Sequence, residues 1–203
     1  MKSLILDTSN RYLVVAIYVD GNRLACIQEE GSKRQSENAI PYIEKLLDAH
    51  EMALFDFDEI IVTRGPGSYT GERVGLTIAK TLKTVHPQVA VKMISSLQAY
   101  AGTIGQKIAV LDARSQKVFV AAYDNGRLLG EETMIEIAMF EEWKQAYANF
   151  TVVGQTEMVG YPCPEVDLAS HLYALGCLTE PVKSVHELLP TYIKEVEAKK
   201  ICL

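Results

Sequence analysis

Two features of this sequence have residue types and spacing suited to chemistry: a glycine-rich turn and a pair of strand-end aspartates. The turn is GPGSYTG at 65–71, between the β-rich run Ile60-Ile61-Val62 and a helical pattern. Such a turn exposes backbone N–H groups that can hold an anion. The aspartates close apolar runs, Asp7 in ILDTS and Asp112 in VLDAR. In a nucleotide-splitting fold, turns of this kind cradle phosphates and their metal. Asp7, Thr8 and Ser9 are therefore the candidate cofactor contacts, against the alternative of an Asp that caps its own turn.

Counting residues narrows the chemistry. A P-loop needs Gly-Lys-Ser/Thr, and Gly71 is followed by Glu72. A dinucleotide fingerprint needs G-x-G-x-x-G, but Gly71 falls one residue too late after Gly67, with no strand-end acid about 20 residues on. A nucleophile elbow needs glycines two residues either side of Ser68, where Pro66 and Thr70 stand. No pattern nominates His50, His86, His171 or His186 as a base for Ser68. The second aspartate turn, D-x-R, sets Arg114 where a backbone approaching phosphate wants glycine. Gly154-Gln155-Thr156 is the one trace of a second glycine turn that would seat adenosine. No catalytic or metal-binding residue is predicted, and a small-molecule kinase or ATPase is the alternative function.

Composition excludes other classes. The 203 residues carry a formal charge of −6, which argues against gripping nucleic acid unaided. Cys26, Cys163, Cys177 and Cys202 form no C-x-x-C pair, so neither a zinc site nor a disulfide framework is expected. No apolar run approaches the roughly 18 residues of a membrane span, and the first charge after the start comes too soon for a signal peptide. A cytoplasmic protein is expected.

The elements that must position these residues repeat. Residues 5–24 lie over 110–129 without gaps, with Leu6/Leu111, Asp7/Asp112, Val15/Val120, Ala16/Ala121, Tyr18/Tyr123, Gly21/Gly126 and Leu24/Leu129 identical. Each copy reads strand, Asp turn, strand, Asp/Asn-Gly turn, strand, and the dipeptides Asp20-Gly21 and Asn125-Gly126 signal hairpins. The first copy continues with a helix over 36–52, whose apolar stripe is Ile40, Ile43 and Leu47, widened by Leu46. Strand 59–64, helix 71–85, strand 89–94 and a short helix at 96–101 follow. The second copy has hairpin strands at 107–132, a helical stretch near 135–148, a strand at 151–154 and an ill-defined tail. The expected architecture is α/β with two lobes, 1–103 and an abbreviated 104–203.

The helix after the glycine turn carries two stripes. Val74, Ile78, Leu82 and Val85 form an apolar one, expected to face the sheet; Gly71, Gly75 and Ala79 form one of small residues. Glycine inside a helix costs about 0.5–1 kcal/mol relative to alanine, so Gly75 implies close approach of another backbone. That backbone belongs either to this chain or to a partner's helix.

Several stretches in order — ILDTS at 5–9, GPGSYTGERVG at 65–75, SSLQAYA at 95–101, LDARSQKVFVAAY at 111–123 and Pro190-x-Tyr192 — resemble the TsaB (YeaZ) family. The resemblance implies the duplicated ASKHA (actin-like ATPase, RNase H-like) fold with a reduced second lobe. It also implies a non-catalytic subunit that binds and activates a TsaD-type paralogue, working with a TsaE-type ATPase. Together they transfer threonylcarbamoyl to the adenosine beside the anticodon of ANN-decoding tRNAs. On this reading the chain meets tRNA only indirectly, has no cofactor of its own, and leaves ATP or ADP to the partner complex. The implied contact surface is on the first-lobe helices: Ser36, Glu37, Ile40, Ile43, Leu47, Tyr69, Thr70, Gly71, Gly75 and Ala79. Because paralogues share patches, a homodimer is expected in isolation. Three departures stand out: Gln35 where the family has His, Tyr69 for Phe, and Glu72 for Leu. Glu72 is expected as an exposed carboxylate at the helix start, where it counts against an anion.

Overall fold

The computed structural model describes residues 1–30 and 35–193. Strands β1 (Lys2–Asp7), β2 (Tyr12–Val19) and β3 (Asn22–Glu30) form an antiparallel meander, and β4 (Glu59–Thr63) and β5 (Ala90–Ile94) add in parallel on the other side of β1. The order is β3-β2-β1-β4-β5. The second sheet repeats the plan with β6 (Gln106–Arg114), β7 (Lys117–Asp124), β8 (Arg127–Glu136) and β9 (Thr151–Gly154), in the order β8-β7-β6-β9. β9 runs parallel to β6 as β4 runs parallel to β1, and this sheet has no counterpart of β5 among the described residues. Both hairpins turn through left-handed Asp20-Gly21 and Asn125-Gly126, with φ of 47°, 85°, 49° and 78°, as a two-residue turn between twisted strands requires.

Among the described residues, five α-helices pack on the two sheets: α1 (Gln35–Ala49), α2 (Tyr69–Val85), α3 (Ser96–Ala101), α4 (Phe140–Lys144) and α5 (Leu168–Leu178). Strand alternation sorts the core. Leu4 and Leu6 of β1 face α1 and α2, while Ile5 faces inward with Ile61 and Ile94. That inner face, α3, α5 and the facing side of the second sheet make one continuous cluster joining both halves. Helix α4 and its flanking turns cover the far side of the second sheet around Phe140.

The predicted helix at 135–148 is corrected: β8 continues to Glu136, and only Phe140–Lys144 is α-helical between single 3-10 turns. The ill-defined tail contains α5, whose Gly176 lets the helix press onto β4: a Cβ there would lie 2.2 Å from Ile61 Cδ1. The division at 103/104 falls in the turn between α3 and β6. Across that line the helices exchange, α3 packing on β6, β7 and β9 and α5 on the first sheet. The start of α1 adjoins 31–34, outside the described residues; Cys202 also lies outside them.

Candidate functional site

Asp7 ends β1 fully buried. Its Oδ1 accepts from Ser9 N (2.8 Å), Ser9 Oγ (2.7 Å) and Thr63 Oγ1 (2.7 Å), and Ser9 Oγ meets Ser96 Oγ at 2.8 Å. Its Oδ2 has no partner among the described residues. Burial pushes the Asp7 carboxyl up, against the pull of its Ser9 and Thr63 hydrogen bonds. In the second copy, Asp112 Oδ1 accepts from Arg114 N at 2.7 Å, the same two-residue reach. Arg114 Nη1 lies 3.1 Å from Asp112 Oδ2, and Gln155 Oε1 accepts from Asp112 N at 2.7 Å. Each aspartate thus caps its own turn. The Gly154-Gln155-Thr156 trace is also spent internally: Gly154 abuts Val110 O, and Thr156 Oγ1 donates to Pro162 O at 2.6 Å.

The glycine loop is filled by the protein itself. A Cβ at Gly67 would stand 2.3 Å from Ser9 O, and at Gly71 2.0 Å from Thr8 O. Ser68 N donates to Ser9 O at 2.7 Å, and Ser68 Oγ caps α2 by accepting from Gly71 N at 3.3 Å. These glycines let the start of α2 sit directly on the Thr8-Ser9 turn. Glu72, expected outside, is only 3% exposed. Helical side chains lean toward the helix N-terminus, and Gly65 (φ 95°) leaves the room: Glu72 Oε1 lies 2.5 Å from where its Cβ would be. Burial raises the Glu72 carboxyl to about 7; nearby Asp7 adds to this, while the Gly67 N–H and Arg73 oppose it. Two buried carboxyls below and inside the loop do not suit a polyphosphate.

The small stripe also faces inward. Gly71, Gly75 and Ala79 are buried, and Gly75 packs on Thr8 and Val62. The expected orientation of α2 is reversed: Val85 is 58% exposed and Val74 and Ile78 half-buried, with only Leu82 of that stripe buried. On α1, Ile43 and Leu47 are buried while Ile40 is 47% exposed. Ile43, Leu47, Gly71, Gly75 and Ala79 are thus buried within the chain itself. Glu37, Ile40, Tyr69 and Thr70 remain exposed, and Ser36 is half-buried.

Two more surface residues, Arg73 and Phe55, were not singled out from sequence. The Arg73 guanidinium lies 3.9 Å over the Tyr69 ring, and Arg73 Nε donates to Tyr192 Oη at 3.0 Å. The Tyr69 and Tyr192 rings are 5.4 Å apart. Phe55 is 58% exposed and meets the His86 ring at the end of α2. The Pro190-x-Tyr192 signal marked Tyr192, but nothing local pointed it at Arg73, 119 residues away.

Elsewhere the halves are clasped. Arg11 pairs with Glu30 and with Glu157 of the second half, Arg23 with Asp167, and Tyr18 stacks on Tyr173 at 4.1 Å.

The family description "TsaD: tRNA N6-adenosine threonylcarbamoyltransferase" matches residues 27–173. The tRNA threonylcarbamoyladenosine biosynthesis protein TsaB of Escherichia coli is 30% identical, over 76% of this chain and 71% of its own length. The chain belongs to the TsaB (YeaZ) family. TsaB of Bacillus subtilis, also named a tRNA threonylcarbamoyladenosine biosynthesis protein, is 29% identical over 98% of the chain and 96% of its own length. A Pseudomonas aeruginosa structure, described as an uncharacterized protein with similarity to peptidase YEAZ, superposes with a TM-score of 0.75 at 25% identity, covering 95% and 99% of the two chains. TsaB proteins are involved in tRNA threonylcarbamoyladenosine biosynthesis. The duplicated two-sheet α/β fold is that of this YeaZ-like structure.

Proposed function

We propose that this chain is the non-catalytic partner of a TsaD-type paralogue, docking it through the outward side of α1 and α2 and activating threonylcarbamoyl transfer in the cytoplasm. The supporting observation is the exposure of Ile40, Tyr69, Val85 and Phe55 on and beside two adjacent helices whose inner sides are fully used. Apolar and aromatic groups left in water beside an Arg73–Tyr stack are the composition of an interface core. On this reading Ser36, Glu37, Ile40, Tyr69 and Thr70 make the contact, Arg73 and Tyr192 extend it, and a homodimer forms through the same face when the paralogue is absent. A TsaE-type ATPase and the tRNA join through the paralogue, and nucleotide is held by the assembly.

The buried Asp7 network and the Glu72-filled loop support the absence of catalysis by the chain itself. Ser68, the serine weighed for a nucleophile elbow, caps α2, accepting from Gly71 N. Lysine cross-linking of the purified pair with mass spectrometry tests the face. Lys45 and Lys80, on α1 and α2, are expected to link to the paralogue. Links confined to Lys107, Lys117 and Lys144 would move the contact to the second sheet.

A further inference from the structure

We propose that Glu72 is a proton-held plug of the glycine loop: protonated, its carboxyl stays inside the curl of Gly65–Gly67, and loss of the proton drives it out and loosens the start of α2. The geometry carries this. Glu72 is 3% exposed, yet its Oε2 has no hydrogen-bond partner among the described residues. The surrounding curl is backbone, with one N–H, that of Gly67, directed at the carboxyl. A carboxylate in that position is desolvated and under-donated, and the second buried acid, Asp7, repels it.

The charged groups around it are few. Asp7 opposes ionisation from the end of β1; Arg73, next on α2, favours it, though its guanidinium is stacked on Tyr69. Arg64, just before the loop, is exposed. The neutral acid fits this site and the ion does not.

What the plug holds is specific. Gly65 O accepts from Ser96 N at 2.7 Å and Ser68 N donates to Ser9 O at 2.7 Å, tying the loop to α3 and to the Asp7 turn. Tyr69, Thr70 and Arg73 follow at once, so the loop sets the position of the exposed aromatic group. The inference concerns the isolated chain and stands whether or not α1 and α2 bind a partner.

The sign follows from the raised carboxyl. Its contribution to the closed loop is complete below about 4.5 and is lost as pH rises through about 7. Amide hydrogen exchange on the isolated protein, normalised to intrinsic rates, reads this at Ser68, Gly71 and Glu72. With a carboxyl at about 7 closed and 4.5 open, opening increases about tenfold between pH 6 and pH 8. Glu72→Gln, neutral at every pH, is expected to remove that dependence and keep the low-pH protection. Flat wild-type protection, or the same slope in Glu72→Gln, overturns the proposal. If Glu72→Gln does not fold, carbon NMR of the wild-type side-chain carboxyls decides. A Glu72 midpoint near 7 supports the plug, and one in the ordinary carboxylate range overturns it.

Discussion

Gly75 N donates to Thr8 Oγ1 at 3.1 Å, and the same hydroxyl donates to Gly71 O at 2.6 Å. Gly71 O and Gly75 N are the pair that closes one turn of an α-helix, so Thr8, from the turn after β1, inserts its hydroxyl into the ladder of α2. Gly71 and Gly75 leave the room for this contact.

Thr8→Val keeps the shape and removes both hydrogen bonds, leaving buried backbone groups without their bridge. A loss of about 1–3 kcal/mol is expected. Chemical denaturation of the two proteins checks it, and an unchanged midpoint would show that the ladder closes without Thr8.

Gly71→Ala is expected to be worse. The new Cβ would meet Thr8 O at 2.0 Å and Thr8 C at 3.0 Å, backbone atoms that cannot rotate away. Gly75→Leu meets Thr8 Oγ1 at 2.9 Å and Val62 Cγ2 at 3.3 Å. Overpacking of this kind costs about 1–3 kcal/mol or more. Thermal melting should show both variants clearly destabilised, whereas a stripe reserved for a partner would leave the isolated chain unaffected.

Asp7 is buried with its carboxyl raised by desolvation. A raised acid stabilises the fold fully below its unfolded value, near 3.8, and that contribution is lost as pH rises. Asp7→Asn retains the Oδ1 acceptor for Ser9 and Thr63 and carries no charge. Its melting temperature should therefore fall less than the wild type's between pH 5 and pH 8. Equal slopes would mean that Asp7 is ionised in the fold at no cost.

The filled glycine loop and self-capped aspartates predict that the isolated chain releases no phosphate from ATP above background. Calorimetry should find at best weak nucleotide binding. Low-micromolar affinity for the chain alone would favour the kinase or ATPase alternative.

The sequence made the duplicated strands legible, because Asp, Tyr and Gly recur at one offset and Asp-Gly and Asn-Gly turns admit left-handed φ. It also showed that Gly75 meant close approach. It could not say whose backbone approaches, since that depends on Thr8, 67 residues away. The orientation of α2 was misread for the same reason: a glycine stripe looks empty, yet it faces the core because the sheet's turn fills it. Glu72 was read as exposed because its charge hid the cavity that Gly65 makes. Helix α5 was missed because LASHLYALGCL is apolar nearly all round, as suits a helix packed between the first sheet and α3, and so shows no stripe. The Arg73–Tyr192 pair joins distant segments and had no local signal.

The central claim is that the outward side of α1 and α2 is the docking face. Titrating a purified TsaD-type paralogue calorimetrically with the wild type and with the Ile40→Asp/Tyr69→Ala double variant tests it directly. Saturable wild-type binding, at least about tenfold weaker in a double variant of unchanged melting temperature, is the predicted result. Equal binding by the two proteins, or none by the wild type, would contradict it.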